Sequence, residues 1–142
     1  MTRRSGEGAT IELAVTDAHA LIWYAQGRTR KLGRRARAVF EAADAGDAAI
    51  YVPTIALVEV LEASRAGVVE LAGGAEVWVQ ALFSTASFFP VALTVDILLR
   101  AEELYAIPER GDRLIAATAA LLSAPLITRD PEIERAGVEV IW

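Results

Sequence analysis

The sequence predicts an α/β domain of three layers, with helices on both faces of a central, mainly parallel sheet of four to five short strands. Three observations predict it. Short apolar, β-prone runs alternate with segments of helical period. Such alternation calls for crossover connections, which place helices on both faces of parallel strands. The 142 residues, 54 % hydrophobic and 23 % charged, suffice for one domain with an ordinary core and are not a disordered composition.

Taken in order, residues 1–10 (MTRRSGEGAT) lack the apolar segment of a secretory signal and read as a short disordered leader before a single domain, 11–142. The apolar run 11–15 is the first strand and ends at a lone carboxylate, Asp17. A helix over 18–26 follows, with Ala18, Leu21, Ile22 and Ala25 at helical spacing, and Gly27 ends it. After a basic loop, 28–31, a second helix covers about 34–45 with Ala36, Val39, Phe40 and Ala43 on one face, and Gly46 stops it. Residues 49–52 are the second strand. Thr54 is expected to cap a helix over 55–65, closed by Gly67. A helix over 75–84 leads to a third strand, 87–92, which Pro90 confines to an edge. Thr94 caps a helix over 95–106, with Asp96 favourably placed in its first turn. Pro108 breaks the chain, and Gly111-Asp112 opens an almost wholly apolar, hence buried, helix over 113–122. Strand 126–128, a helical turn opened by Asp130-Pro131, and strand 138–141 complete the chain.

Several function classes are excluded. No apolar run approaches the roughly 18 residues needed to span a bilayer. The absence of cysteine removes disulfides and thiolate metal sites and fits a cytoplasmic protein. No G-x-G-x-x-G follows the first strand, against a dinucleotide-binding fold. A phosphotransfer receiver needs paired acids after strand one and a late lysine, whereas residues 16–19 hold one acid and the only lysine is Lys31. The net charge of −5 argues against nucleic-acid binding through a global basic field. The charge is uneven, however. Arg28, Arg30, Lys31, Arg34, Arg35 and Arg37 crowd into ten residues, as a solvated face or as a local RNA-binding patch.

Four acids stand out. Asp17, Asp112 and Asp130 each precede a helix, and capping accounts for each taken singly. Glu59 has no such account, because it lies inside the apolar helix segment Ile55-Ala56-Leu57-Val58-Glu59-Val60-Leu61, where a buried carboxylate needs a partner or a metal. In a doubly wound sheet, positions after strand ends collect at one edge, where ligands bind. Carboxylates about 4 Å apart repel by roughly 4 kcal/mol at an effective dielectric near 20. Such a cluster therefore persists protonated, well separated or neutralised by a cation. Oxygen ligands without cysteine select Mg²⁺ or Mn²⁺, whose chemistry suits phosphodiester cleavage.

Four segments carry a family resemblance: Thr16-Asp17-Ala18-His19-Ala20-Leu21-Ile22-Trp23, Val52-Pro53-Thr54-Ile55-Ala56-Leu57-Val58-Glu59-Val60, Gly111-Asp112-Arg113-Leu114-Ile115-Ala116-Ala117-Thr118-Ala119 and Leu126-Ile127-Thr128-Arg129-Asp130. In this order and spacing the chain resembles the PIN-domain ribonucleases, most closely the VapC-type toxins of toxin–antitoxin pairs, over residues 11–142. The resemblance implies a PIN-like nuclease domain, a Mg²⁺-dependent endoribonuclease, with Asp17, Glu59, Asp112 and Asp130 as its catalytic acidic quartet. Asp17 and Asp112 would ligate metal directly. Glu59 would bind a metal or hold the attacking water. Asp130 would act through water or complete a second metal site. Thr128 matches a supporting hydroxyl position. Arg113, next to a site acid, is expected either to support an acid or phosphate or to sit as a surface residue. An antitoxin protein as partner and a homodimer are also implied, with a basic antitoxin tail covering the acidic groove. His19, the sole histidine, is read as structural or supporting rather than as a general base, and Trp23 and Trp78 as core or interface residues. Two departures from the family pattern stand out: Ala18 replaces a frequent hydroxyl residue after the first acid, and Arg110-Gly111 replaces a frequent Pro-Phe pair before the third. The alternative is a catalytically inactive PIN-like module that binds RNA or protein.

Overall fold

The alternating segments are all present in the computed structural model, which describes residues 12–142; the expected leader 1–10, and Ile11 of the expected first strand, lie outside the described residues. The elements run β1 (Glu12–Thr16), α1 (Ala18–Ala25), a 3₁₀ turn (Thr29–Lys31), α2 (Arg34–Asp44), β2 (Ala48–Pro53), α3 (Thr54–Arg65), α4 (Ala75–Phe83), β3 (Phe88–Val91), α5 (Val95–Glu102), α6 (Arg110–Leu121), β4 (Leu126–Ile127), α7 (Pro131–Arg135) and β5 (Val140–Ile141). The strands form one sheet in the order β3-β2-β1-β4-β5, every pair parallel. Helices flank it in the three-layer arrangement expected.

The strand centres are apolar because both faces are covered. Val15, Ile50, Val52, Leu126 and Ile127 are fully buried, with Leu21, Phe40, Ile115 and Ile133 packed on them from the helices. The rings of Tyr24, Phe40 and Phe88 stack, with centroids 4.6 Å and 5.5 Å from Tyr24 to its two neighbours. Helix α6 is buried along Leu114–Ala119, and its alanines let it lie close to α3, α5 and β1. Pro90 sits on β3, an edge strand as expected, opposite Val52. No helix among the described residues is long and apolar enough to cross a membrane.

Several boundaries shift by one or two residues, as the strand expected over 138–141 shortens to Val140–Ile141, and three differences have a clear physical reason. Thr54 does not cap α3: β2 runs into the helix without a loop, so Pro53 takes the cap position and Thr54 the first turn. Helix α5 stops at Glu102, not 106, because the following N–H groups bond three residues back, as Leu104 N–H does to Ala101 O at 3.0 Å, and tighten the chain into turns. Helix α6 starts at Arg110, three residues early. Pro108 disfavours helix only for the residue before it, so Glu109 takes the cap position and Asp112 falls in the first turn.

From β1 the chain builds outward through β2 and β3, then crosses back to place β4 on the other side of β1. Between β1 and β4 the winding reverses. In open α/β sheets the crevice beyond the strand ends at that reversal is where ligands bind.

Candidate active site

Asp17 leaves the end of β1 with extended backbone (φ −84°, ψ 176°) and caps α1: the Ala20 N–H donates to its Oδ1 at 2.9 Å. Its own N–H donates to Ile127 O on β4 at 3.1 Å, which ties the two strand ends at the reversal. Capping and site membership are therefore compatible. Burial raises the Asp17 carboxyl above its ordinary value, and nearby Asp130 adds to that. The Ala20 N–H, a hydrogen bond from Thr128 and the positive side of His19 oppose the rise.

Asp130 stands beyond β4. It caps α7 through Oδ1, which accepts from Glu132 N at 2.9 Å, and Pro131 takes the first helical position. Its N–H donates to Thr128 Oγ1 at 3.2 Å, so the buried threonine links Asp130 and Asp17. Asp112 comes from the first turn of α6. Burial, then Glu109, Asp130 and Glu59, together with a hydrogen bond shared with Asp130, push it up to about 7. Glu59 reaches over from α3. It is raised by burial first and then by Glu109, with smaller contributions from Asp17 and Glu62 and an opposing one from His19. Its carboxylate lies so close to α6 that a β-carbon on Gly111 would stand 2.1 Å from Oε2. The unusual glycine before Asp112 thus makes room for Glu59.

All four predicted acids line one pocket of about 330 Å³, with Thr128 and His19. Sequence reasoning missed three more lining residues: Glu109, Arg129 and Trp142. Glu109 carries no signal in the sequence, because the expected helix starts at 113 and leaves it in the preceding loop. Trp23 packs against the core, as expected, and its ring also lines the pocket; Trp78 is buried in the core as expected. Arg113 does not line the pocket. Its guanidinium donates to the carbonyls of Ile107 and Pro108, at 2.8 Å and 2.9 Å, and straps the loop before α6. Of the basic cluster, Arg28, Arg30, Lys31, Arg34 and Arg35 are exposed and Arg37 is partly buried. The cluster is anchored beside the pocket, since Arg28 N–H donates to Trp23 O at 2.8 Å and Arg35 N–H to Trp142 O at 3.2 Å.

The donor set is oxygen, with one imidazole at the rim. No three His, Asp or Glu side chains among the described residues converge closely enough to hold an ion by themselves. Mg²⁺ does not require that, because it keeps several waters and uses one or two carboxylates. The adjoining Asp112 and Asp130 fit such an ion.

Five acids gathered at the strand-end crevice of a 3-2-1-4-5 parallel sheet coincide with a family match: the PIN domain family matches residues 14–139. The chain belongs to the PIN domain family. No curated protein matches this PIN domain by sequence. Among solved structures it is similar to VapBC2 from Rickettsia felis, crystallised bound to a DNA fragment from their promoter (12 % identity, 92 % of this chain and 97 % of that one, TM-score 0.67). It is similar to a toxin–antitoxin complex from Klebsiella pneumoniae (22 % identity, 82 % and 86 %, TM-score 0.54). It is also similar to FitAcB from Neisseria gonorrhoeae (15 % identity, 91 % and 96 %, TM-score 0.61). At these identities the likeness to the three structures is one of fold.

Proposed function

We propose that this PIN domain is a Mg²⁺- or Mn²⁺-dependent endoribonuclease, the toxin of a toxin–antitoxin pair acting on cytoplasmic RNA. The observation that carries the reading is the convergence of Asp17, Glu59, Asp112 and Asp130, from four separate elements, into one pocket where burial and mutual repulsion raise Asp17, Glu59 and Asp112. Evolving such a cluster without a cation would keep a repulsive site at the domain's ligand-binding edge.

Asp17, Asp112 and Asp130 would hold the metal, with Glu59 as a further ligand or as the acceptor of the attacking water's proton. When bound, the metal polarises the phosphodiester and offsets the negative charge that grows on it. Glu59, raised above its ordinary value by burial and neighbouring acids, is a better proton acceptor than a free carboxylate. Thr128 fixes Asp17 and Asp130 relative to each other. The basic cluster would meet phosphates away from the cut. An antitoxin is the partner, a reading supported by the likeness to a toxin–antitoxin complex, and a basic tail on it would suit the acidic pocket. A homodimer is supported by the apolar face of α5, where Val95, Leu98 and Leu99 are 69 %, 44 % and 63 % exposed.

The test is digestion of total RNA by the purified protein with Mg²⁺, with Mn²⁺ and with chelator, alongside Asp17→Asn and Asp112→Asn. Cleavage should require the metal and vanish in both variants while their circular dichroism stays native; asparagine still caps α1. Chelator-resistant cleavage, or variants that cut like wild type, would overturn the reading. RNA bound but never cut would favour the inactive-module alternative.

A further inference from the structure

The pocket has two unlike walls. One is acidic. The other is built from His19, Trp23, Arg129 and Trp142. The Arg129 guanidinium carbon lies 5.0 Å from the Trp23 ring centroid and 6.0 Å from that of Trp142. The two indoles meet edge to face at 6.0 Å, and the His19 ring lies 5.9 Å from Trp23. Arg129 is an exposed residue carried between Thr128 and Asp130, and among the described residues it is the only arginine or lysine lining this pocket. Trp23 and Trp142 are only partly buried: each packs against the core and also lines this pocket.

A second groove continues from the same wall. It shares His19, Trp23 and Glu59 with the acidic pocket, and Arg28, the first residue of the basic cluster, is also in its lining. An extended strand could thus run from the carboxylates, past the indole wall, to the cations.

We infer that Trp23, Trp142 and Arg129 form a stacking subsite for one unpaired nucleobase of a single-stranded RNA, next to the phosphate presented to the acids. The inference rests on the nuclease reading and adds to it the residues that receive a base beside the acids. Proteins read single-stranded RNA by stacking its bases on aromatic rings and arginine planes. An arginine already poised over two indoles offers a flat cationic surface to a base and a charge to its phosphate. In an otherwise acidic pocket, that charge is what an anionic substrate needs in order to approach.

The test uses the full chain carrying Asp112→Asn, so that nothing is cut, with Mg²⁺ present. The probes are a short fluorescein-labelled oligoadenylate and its base-free ribose-phosphate counterpart, read by anisotropy and by tryptophan quenching. Trp23→Ala should weaken oligoadenylate binding about 5- to 150-fold, the loss of one stacked base. Trp23→Phe, which keeps a ring and guards against a folding artefact, should restore most of it. The base-free strand should bind weakly and should not respond to either substitution. Equal affinity of Trp23→Ala and its parent for oligoadenylate would overturn the subsite, as would equal losses on both strands. Wild-type cleavage of total RNA, run in parallel, separates the two readings. Metal-dependent cutting with no stacking signal overturns the subsite alone, whereas absence of both cutting and binding removes the nuclease reading and the subsite with it.

Discussion

A β-carbon built on Gly111 lies 2.1 Å from Oε2 of Glu59 and 3.3 Å from its Cδ. Ordinary contact begins near 3.4 Å, so in Gly111→Ala the carboxylate oxygen must retreat by about 1.3 Å. The crowded atom is the far end of a flexible side chain, so the adjustment falls on Glu59 and not on the backbone. Gly111 is the second residue of α6 and its φ is not positive, so alanine introduces no backbone strain. Removing the glycine's freedom from the unfolded chain instead stabilises the fold by about 0.4–1 kcal/mol. A displacement near 1 Å in a catalytic group costs on the order of 10²-fold in rate. Gly111→Ala should therefore cut RNA roughly 10- to 100-fold more slowly than wild type while its Tm holds or rises. Initial rates on a fluorogenic single-stranded RNA, with thermal unfolding of the same preparation and Glu59→Gln as reference, measure both. A wild-type rate would refute the link between Gly111 and the Glu59 position. A Tm lowered by several degrees would refute the claim that only the side chain yields.

Other outcomes follow from charges and close contacts. The folded Asp112 sits at about 7 against an ordinary value near 4, so the folded chain binds its proton more tightly than the unfolded chain. The stability this contributes is fully present below about pH 4 and lost as pH rises through about 7. Wild-type Tm should thus decline over that window, more steeply than for Asp112→Asn, and Mg²⁺ should raise Tm at pH 8 but little at pH 5; scanning fluorimetry across pH checks all three. Gly33→Ala sets a β-carbon 2.4 Å from the backbone carbon of Trp142, which cannot swing away, so it should destabilise by about 1–3 kcal/mol in urea unfolding. Neutralising Arg34, Arg35 and Arg37 together should weaken RNA binding and lower its log–log salt slope by up to roughly 0.7 per lost phosphate contact, and an unchanged slope would return them to a solvated face.

The sheet and the acidic quartet were legible in the sequence because both are written in local terms. Each strand is a short apolar run, and three of the acids sit where a strand or loop hands over to a helix, as Asp17 does between Val15 and Leu21. Glu59 was conspicuous because nothing local accounts for it. Long-range properties were not legible. The start of α6 depended on what Pro108 forbids and what it permits, and Glu109 looked like a loop residue until that start was known. Trp23 has helical spacing suited to a core position, and only the approach of Trp142 and Arg129 from the far end of the chain turns its ring into a pocket wall. Gly111 looked like a departure from the family pattern because the reason for it, Glu59, lies on another helix.

The pairing of Val15 with Leu126 has a consequence for the chain as it is made. The strand that bears Asp17 emerges early, but the neighbour that completes the crevice and brings Thr128 and Asp130 emerges only after α6. A chain ending before β4 lacks Thr128, Asp130 and the strand end that stands beside Asp17. Contacts this distant in sequence form late in folding. The crevice is thereby left without one of its walls in every chain that stops short of β4.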